Sequence, residues 1–312
     1  VTDRPVVLSQ LGRTHSERLA EAFPQIEVVP ALVDDDLPDR ADVLVNAPWG
    51  RDLLPRLVAE TGVGWVHTVS TGVDKLDLDL FRDGPVLTCS RGASAVPIAE
   101  WVLAQMLAFE KDLPDSWITE PPEQWNLADL GTLDGRRVGL VGLGAIGSAV
   151  AARATAFGCE LRAVRRTDTP SDIVGLDVTT DLPALVAWCD HLVLAAAATP
   201  DTRHLINADV LADIGPGAHL VNIARGSLVD QEALRLALDD GRVARASLDV
   251  VDPEPLPIGH WLFGHPAVRV SAHVSWSAPR SWERLVDGFH TNLRRWLAGA
   301  ALDGIVDLDA GY

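Results

Sequence analysis

A glycine-rich turn near the middle of the chain constrains the architecture more than any other feature. Val138-Gly139-Leu140-Val141 reads as a short buried strand, and Gly142, Gly144 and Gly147 follow at G-x-G-x-x-G spacing just as the pattern turns helical through Ser148 to Phe157. Each glycine has its own task. The first permits a tight turn, the second lets backbone approach a pyrophosphate, and the third lets the helix press onto the strand with its amino end facing the anion. With Ala145 and Ile146 between the glycines, the segment predicts a dinucleotide site in a parallel α/β domain. Its position so far into a chain of 312 residues leaves room for another domain before it.

The hydrophobic pattern fills that room. Val6-Val7-Leu8, Ile26 to Val29, Val43-Leu44-Val45 and Trp65 to Val69 are short β-branched runs separated by helical stretches such as Arg13 to Phe23 and Leu53 to Glu60. A second series runs from the glycine turn through Leu161 to Val164, His191 to Leu194, His219 to Asn222, Ala246 to Leu248 and Val268 to Val270. The expected fold is therefore α/β with two doubly wound parallel-sheet domains, a Rossmann nucleotide domain and a flavodoxin-like substrate domain, facing each other across a cleft. The predicted boundaries are 1–93 for the first part of the substrate domain and 94–278 for the nucleotide domain, with 279–312 as a helix returning to the substrate domain. Gly304 to Leu308 reads as a short final strand.

Charge and cysteine usage narrow the function classes. A net charge of −18 argues against nucleic acid or an anionic membrane as partner, so an anionic substrate needs a local positive pocket. Cys89, Cys159 and Cys189 are odd in number and widely spaced in apolar context, which fits reduced core thiols, and the nine histidines show no metal-ligand spacing. No run is long and apolar enough for a signal peptide core or a membrane span, so a cytoplasmic enzyme without a metal is expected.

Three polar residues lie where open α/β sheets hold their ligands, just past strand ends. They are Arg225 in Asn222-Ile223-Ala224-Arg225-Gly226, Glu254 in Asp252-Pro253-Glu254-Pro255, and His273 in Ser271-Ala272-His273-Val274. Arg225 offers a planar fork for a carboxylate or phosphate. His273 suits general acid catalysis at a carbonyl oxygen, and Glu254 suits the anion that orients the imidazole and favours its charged form. Taken singly, each has a structural explanation: a turn cap, a surface loop, a core histidine.

With Gly72-Val73-Asp74, Ala99-Glu100 and Thr199-Pro200-Asp201-Thr202-Arg203 added, the chain resembles the D-isomer-specific 2-hydroxyacid dehydrogenases over most of its length. The resemblance implies reduction of a small 2-oxo acid, glyoxylate- or hydroxypyruvate-like, to a D-2-hydroxy acid by NAD(P)H. It implies that Asp249 orients the nicotinamide carboxamide, that Thr202 contributes to the cofactor site, and that backbone amides near Gly72 and Val73 meet the substrate carboxylate. Cys89-Ser90-Arg91, Ala197 and Ser275-Trp276 depart from the common pattern, which leaves the substrate open. Trp49 and Trp276 are candidate walls of a small pocket, with core or interface packing the alternative.

The end of the second nucleotide-domain strand bears on the cofactor. An NAD-specific fold places an acid there for the ribose hydroxyls, whereas this chain has Arg165, Arg166 and Thr167, which suit a 2′-phosphate. NADP(H) is therefore expected over NAD(H); the competing reading takes Asp168 as the acid. Apolar residues from Val96 to Phe109 and from Trp117 to Trp125, with the resemblance, point to a two-fold homodimer built on the nucleotide domain. Phosphite dehydrogenase and a short-form 3-phosphoglycerate dehydrogenase remain alternatives. Formate dehydrogenases carry Gln at the position of Glu254. Outside catalysis, the alternative is a cofactor-sensing corepressor-like protein.

Overall fold

The computed structural model describes residues 4–32 and 37–312. The chain divides into two compact units, one running to Ser94 and taking in Pro279–Tyr312, the other Ala95–Ala278.

In the first unit, β1 (Val6–Ser9), α1 (Arg13–Ala22), β2 (Glu27–Pro30), β3 (Val43–Asn46), α2 (Leu54–Thr61), β4 (Trp65–Thr68) and β5 (Val86–Cys89) follow in order. The strands form a parallel sheet ordered β2-β1-β3-β4-β5, the flavodoxin-type winding. β3 and β4 are buried at every position, as strands covered on both faces must be, so their sequences read as continuous runs. Leu8, Leu44, Val66 and Leu87 pack with Leu54, Leu57 and Phe81 into one core.

The second unit contains α3 (Ala95–Glu110), β6 (Arg137–Val141), α4 (Ala145–Ala156), β7 (Glu160–Val164), β8 (Leu176–Thr179), α5 (Leu182–Trp188), β9 (His191–Leu194), α6 (Ala208–Ala212), β10 (Ala218–Asn222), α7 (Gln231–Asp239), β11 (Val243–Leu248) and β12 (Val268–Val270). Its seven parallel strands are ordered β12-β11-β10-β9-β6-β7-β8, a Rossmann winding with one further strand at the β12 edge. The order reverses between β6 and β9. Side chains alternate across the sheet. Leu192, Leu194 and Leu220 enter one core, with Leu185 of α5 and Leu234 of α7, while Val193 and Val221 enter the other, with Val102 of α3 and Val150 of α4.

The chain ends with α8 (Ser281–Leu297), which belongs to the first unit. The expected strand at Gly304 to Leu308 does not form; Ile305 makes one antiparallel bridge to Thr88, flanked by backbone bonds from Cys89 N to Gly304 O and from Val306 N to Leu87 O. β5 and β8 were not expected from the pattern. No helix among the described residues is long and apolar enough to cross a membrane.

Each unit buries histidine inside its sheet. His67 on β4 meets Thr88 Oγ1 through Nδ1 at 2.8 Å and Ser90 Oγ through Nε2 at 3.1 Å. Ser90 donates its own proton to Leu285 O on α8, and Thr88 Oγ1 accepts from Trp65 Nε1, so Nε2 must carry the ring proton and Nδ1 must accept. Burial pushes the His67 pKa down to about 3, keeping the ring neutral. In the second unit Glu110 Oε1 meets His191 Nε2 at 3.0 Å, the His191 and His219 Nδ1 atoms lie 3.1 Å apart, and His219 Nε2 lies 3.0 Å from Ser247 Oγ. Burial, with His191 and Arg245 nearby, holds His219 well below the usual histidine range. Burial works to raise the Glu110 carboxyl, but hydrogen bonds from His191 and Arg136 outweigh it and hold it below the usual carboxylate range.

Candidate active site

Arg225, Glu254 and His273 leave the carboxyl ends of three adjacent strands, β10, β11 and β12. The first turn is shaped by Asn222, whose side chain accepts from Ala224 N at 3.0 Å and donates to Arg225 O at 2.9 Å. Arg225 is partly buried, with Nη1 donating to Ala224 O at 2.7 Å. Gly226 then lets the next loop come close: a Cβ there would lie 1.9 Å from the Val251 carbonyl carbon. Gln231 closes this contact by donating through Nε2 to Asp252 O. The loop that carries Glu254 is thus laid against the turn that carries Arg225.

Glu254 and His273 meet directly. His273 Nδ1 lies 3.1 Å from Glu254 Oε2, and since an ionised carboxylate only accepts, Nδ1 is the donor. Nε2 is left as the ring nitrogen that addresses a reactant. Both side chains keep contact with solvent, at 36% and 28% exposure for His273 and Glu254, so a substrate can reach them. His273 has a φ of +54°, in the left-handed region.

The nucleotide turn lies in the same unit, between β6 and α4, at the point where the strand order reverses. Gly142 has a φ of +99°, and a Cβ there would lie 2.7 Å from Ala196 N; a Cβ on Gly147 would lie 2.3 Å from Gly142 O. At Gly144 a Cβ would meet nothing within 4 Å, so this backbone faces open space. Ala145 and Ile146 begin α4, whose amino end receives no side-chain cap from Gly144. A tight turn, an open face and a helix amino terminus fit a pyrophosphate.

Arg165 follows β7 directly, and Gly142 N donates to Val164 O at 3.0 Å, so the arginine stands next to the glycine turn. It is partly buried, with Nη1 to Thr169 O at 3.3 Å, whereas Arg166, Thr167 and Asp168 are exposed. Thr202 Oγ1 shapes the loop after β9, accepting from Thr199 N and donating to Ala197 O, both at 2.8 Å. Asp249 is 1% exposed, and its carboxylate accepts from Ser271 Oγ and from the Val274 and Ser275 backbone N–H groups. Trp276 donates through Nε1 to His273 O at 3.0 Å. In the first unit, Trp49 is 58% exposed, donates to Gln10 O at 2.9 Å and lies against Trp282 with ring centroids 5.0 Å apart. Gly72 and Val73 follow β4, with the Val73 side chain in the core. The sequence reading passed over Gly226, Gln231 and Ser271, whose partners are remote in the chain; only the glycine directly after Arg225 was a visible signal.

Residues 103–275, more than half of the chain, match the family model of the D-isomer specific 2-hydroxyacid dehydrogenase, NAD binding domain. A glyoxylate/hydroxypyruvate reductase A of Serratia proteamaculans is 29% identical over 305 residues, covering 94% of each chain. A D-isomer specific 2-hydroxyacid dehydrogenase from Xanthobacter autotrophicus Py2, solved in complex with NADPH and MES, superposes with a TM-score of 0.84 at 28% identity over 100% of both chains. An NADPH-dependent glyoxylate/hydroxypyruvate reductase from Sinorhizobium meliloti, solved with NADP and sulfate, gives a TM-score of 0.82 at 25% identity, covering 99% of this chain and 100% of that one. Curated D-3-phosphoglycerate dehydrogenases also match, and the chain spans only 35% to 60% of their length.

Proposed function

As the chain belongs to the D-isomer specific 2-hydroxyacid dehydrogenase family, we propose that it reduces a small 2-oxo acid of the glyoxylate or hydroxypyruvate kind to the D-2-hydroxy acid, with NADPH as its preferred donor. The observation that carries the reading is the His273–Glu254 contact at 3.1 Å, on neighbouring strand ends of the unit that bears the nucleotide turn.

The nicotinamide cofactor, when bound, supplies the hydride that reduces the carbonyl carbon. Its pyrophosphate is taken by the backbone around Gly144, Ala145 and Ile146, and Arg165 with Arg166 and Thr167 bind the 2′-phosphate of the adenosine ribose. Arg225 holds the substrate carboxylate and polarises the adjacent carbonyl. His273, charged and donating through Nδ1 to Glu254, gives its Nε2 proton to the carbonyl oxygen as that oxygen gains negative charge. In the oxidative direction the neutral ring takes the proton back from the hydroxyl, again with Glu254 stabilising the charge that forms.

A steady-state panel of glyoxylate, hydroxypyruvate and pyruvate with NADPH and NADH tests this directly. Turnover of at least one acid at ordinary enzyme rates, with higher kcat/KM for NADPH, is expected. No turnover of any 2-oxo acid sinks the reaction, and equal kcat/KM for the two donors sinks the cofactor preference. The phosphoglycerate dehydrogenase relatives favour one further arm, oxidation of D-3-phosphoglycerate.

We also propose a homodimer through the second unit. Trp117, Ile118, Trp125 and Leu127 are each more than half exposed in the segment after α3, and Val96 on α3 is 50% exposed. Exposed apolar side chains of this size suit a surface that another chain covers. Light scattering at micromolar concentration is expected to give twice the 33.5 kDa of one chain, and a mass near 33.5 kDa refutes the dimer.

A further inference from the structure

His273 occupies a backbone conformation that is uncommon for a residue with a Cβ. With φ at +54° it sits in the left-handed region, at a cost that its hydrogen bonds offset. Its backbone is held on both sides. The His273 N–H donates to the Asp249 carbonyl at 2.8 Å, and the His273 carbonyl accepts from Trp276 Nε1 at 3.0 Å. The peptide plane leaving His273 is gripped at its other end too, since Val274 N–H donates to Asp249 Oδ1 at 2.8 Å. Ser275 N–H on Oδ2 at 2.9 Å and Ser271 Oγ on Oδ1 complete the set.

These bonds specify both dihedral angles of His273, and so the direction of the Cα–Cβ bond that aims its ring at Glu254. The two anchors are themselves packed in place. Asp249 is buried at the end of β11, and the Trp276 indole packs against the core cluster that contains Ile98, Val102, Leu140 and Ile223. An indole N–H is a donor with no acceptor capacity, so the Trp276 bond has one polarity and can only take the carbonyl.

We propose that Trp276 and Asp249 are positioning residues that lock His273 in its left-handed conformation by holding the two ends of one peptide plane. The assignment rests on His273 as the proton donor of the proposed reaction, and it gives both residues work separate from contact with substrate or cofactor.

Trp276→Phe keeps the apolar ring and deletes the donor. With glyoxylate and NADPH its kcat should fall about ten-fold, as small displacements of a catalytic group do, while the KM for glyoxylate and the Kd for NADPH by fluorescence titration stay within about two-fold. Hydrogen exchange of the 271–275 amides should quicken by about ten-fold, because their protection depends on the grip. Asp249→Asn, whose amide keeps one oxygen acceptor and turns an NH2 towards the other N–H donor, is the second variant should Trp276→Phe not fold, read by kcat and by amide exchange of 271–275. Retained kcat, a loss that sits in KM, or unchanged amide exchange overturns the proposal. If the parent protein turns over no 2-oxo acid, the reaction itself has failed, and amide exchange in the variants alone decides whether the loop is held in this way.

Discussion

At His273 the two ring nitrogens have different partners, and that difference decides what each can do. Nδ1 is committed to Glu254 Oε2, so any proton exchanged with a substrate passes through Nε2. His273→Ala should lower kcat by roughly 10²–10⁴-fold, the usual worth of a positioned general acid, with the Kd for NADPH nearly unchanged. Little loss of kcat in that variant would remove His273 from the mechanism. Glu254→Gln keeps a neutral partner at Nδ1 but removes the anion, so its kcat on a 2-oxo acid should fall by about ten-fold or more with the Kd for NADPH nearly unchanged, and a parental kcat would show that the carboxylate charge is dispensable. Arg165 acts on the cofactor instead. Losing a charge-assisted contact costs about 1.5–3 kcal/mol, so Arg165→Ala should raise the KM for NADPH by roughly ten-fold or more and spare NADH. Equal losses for the two donors would mean that the guanidinium does not read the 2′-phosphate.

Single elements gain their meaning from the neighbours their ends are brought against. Gly226 shows this, because the three atoms nearest to a Cβ placed there are backbone atoms of Val251 and Asp252, which cannot swing aside as a side chain can. Gly226→Ala should therefore push the Glu254 loop away from the Arg225 turn, at about 1–3 kcal/mol in stability, and lower kcat as well. Thermal unfolding together with steady-state kinetics checks this; a variant with parental Tm and kcat would show that the close approach is dispensable. The same dependence on neighbours explains what was legible in the sequence. The glycine turn, most of the strands and the ordering of Arg225, Glu254 and His273 after successive strands are local signals, visible as spacing and periodicity. β8 was missed because Leu176-Asp177-Val178-Thr179 is a short edge strand with polar alternation, and β5 because Val86 to Cys89 is only four residues with a polar Thr88 that turns out to bond His67 and Trp65. The resemblance implies a cofactor contact for Asp249, whereas its bonds to Ser271, Val274 and Ser275 join residues too far apart in the chain for any local pattern to reveal.

Across the whole molecule, each unit pairs a parallel sheet with a buried neutral histidine, and this couples stability to pH. His67 falls to about 3 in the folded state and His219 also lies well below its ordinary value of 6.5, both by burial first. The unfolded chain therefore binds protons below pH 6.5 that the folded chain refuses. The stabilisation is fully present above that pH and is lost as pH falls towards the folded values, with a slope of about 1.4 kcal/mol per pH unit for each ring. His290, also lowered chiefly by burial, acts in the same sense in the first unit. Glu110 enters later. Its folded carboxyl lies below the ordinary 4.5, so its contribution is present above that value and is lost only as pH drops below it. An opposing effect comes from the net charge of −18, whose self-repulsion eases towards the pI of about 4.7, but at 0.15 M salt exposed charges are screened beyond about 8 Å while the buried rings are not. Denaturant unfolding at 0.15 M salt should thus show stability falling between pH 7.5 and 5.5, by about 1.4 kcal/mol from each of His67 and His219 at the lower pH. His67→Gln should remove most of the pH dependence contributed by the first unit and leave that of the second, separating the two if they unfold in separate transitions and shallowing the slope if they unfold together. A stability profile flat from pH 7.5 to 5.5 would mean that these rings accept protons inside the fold.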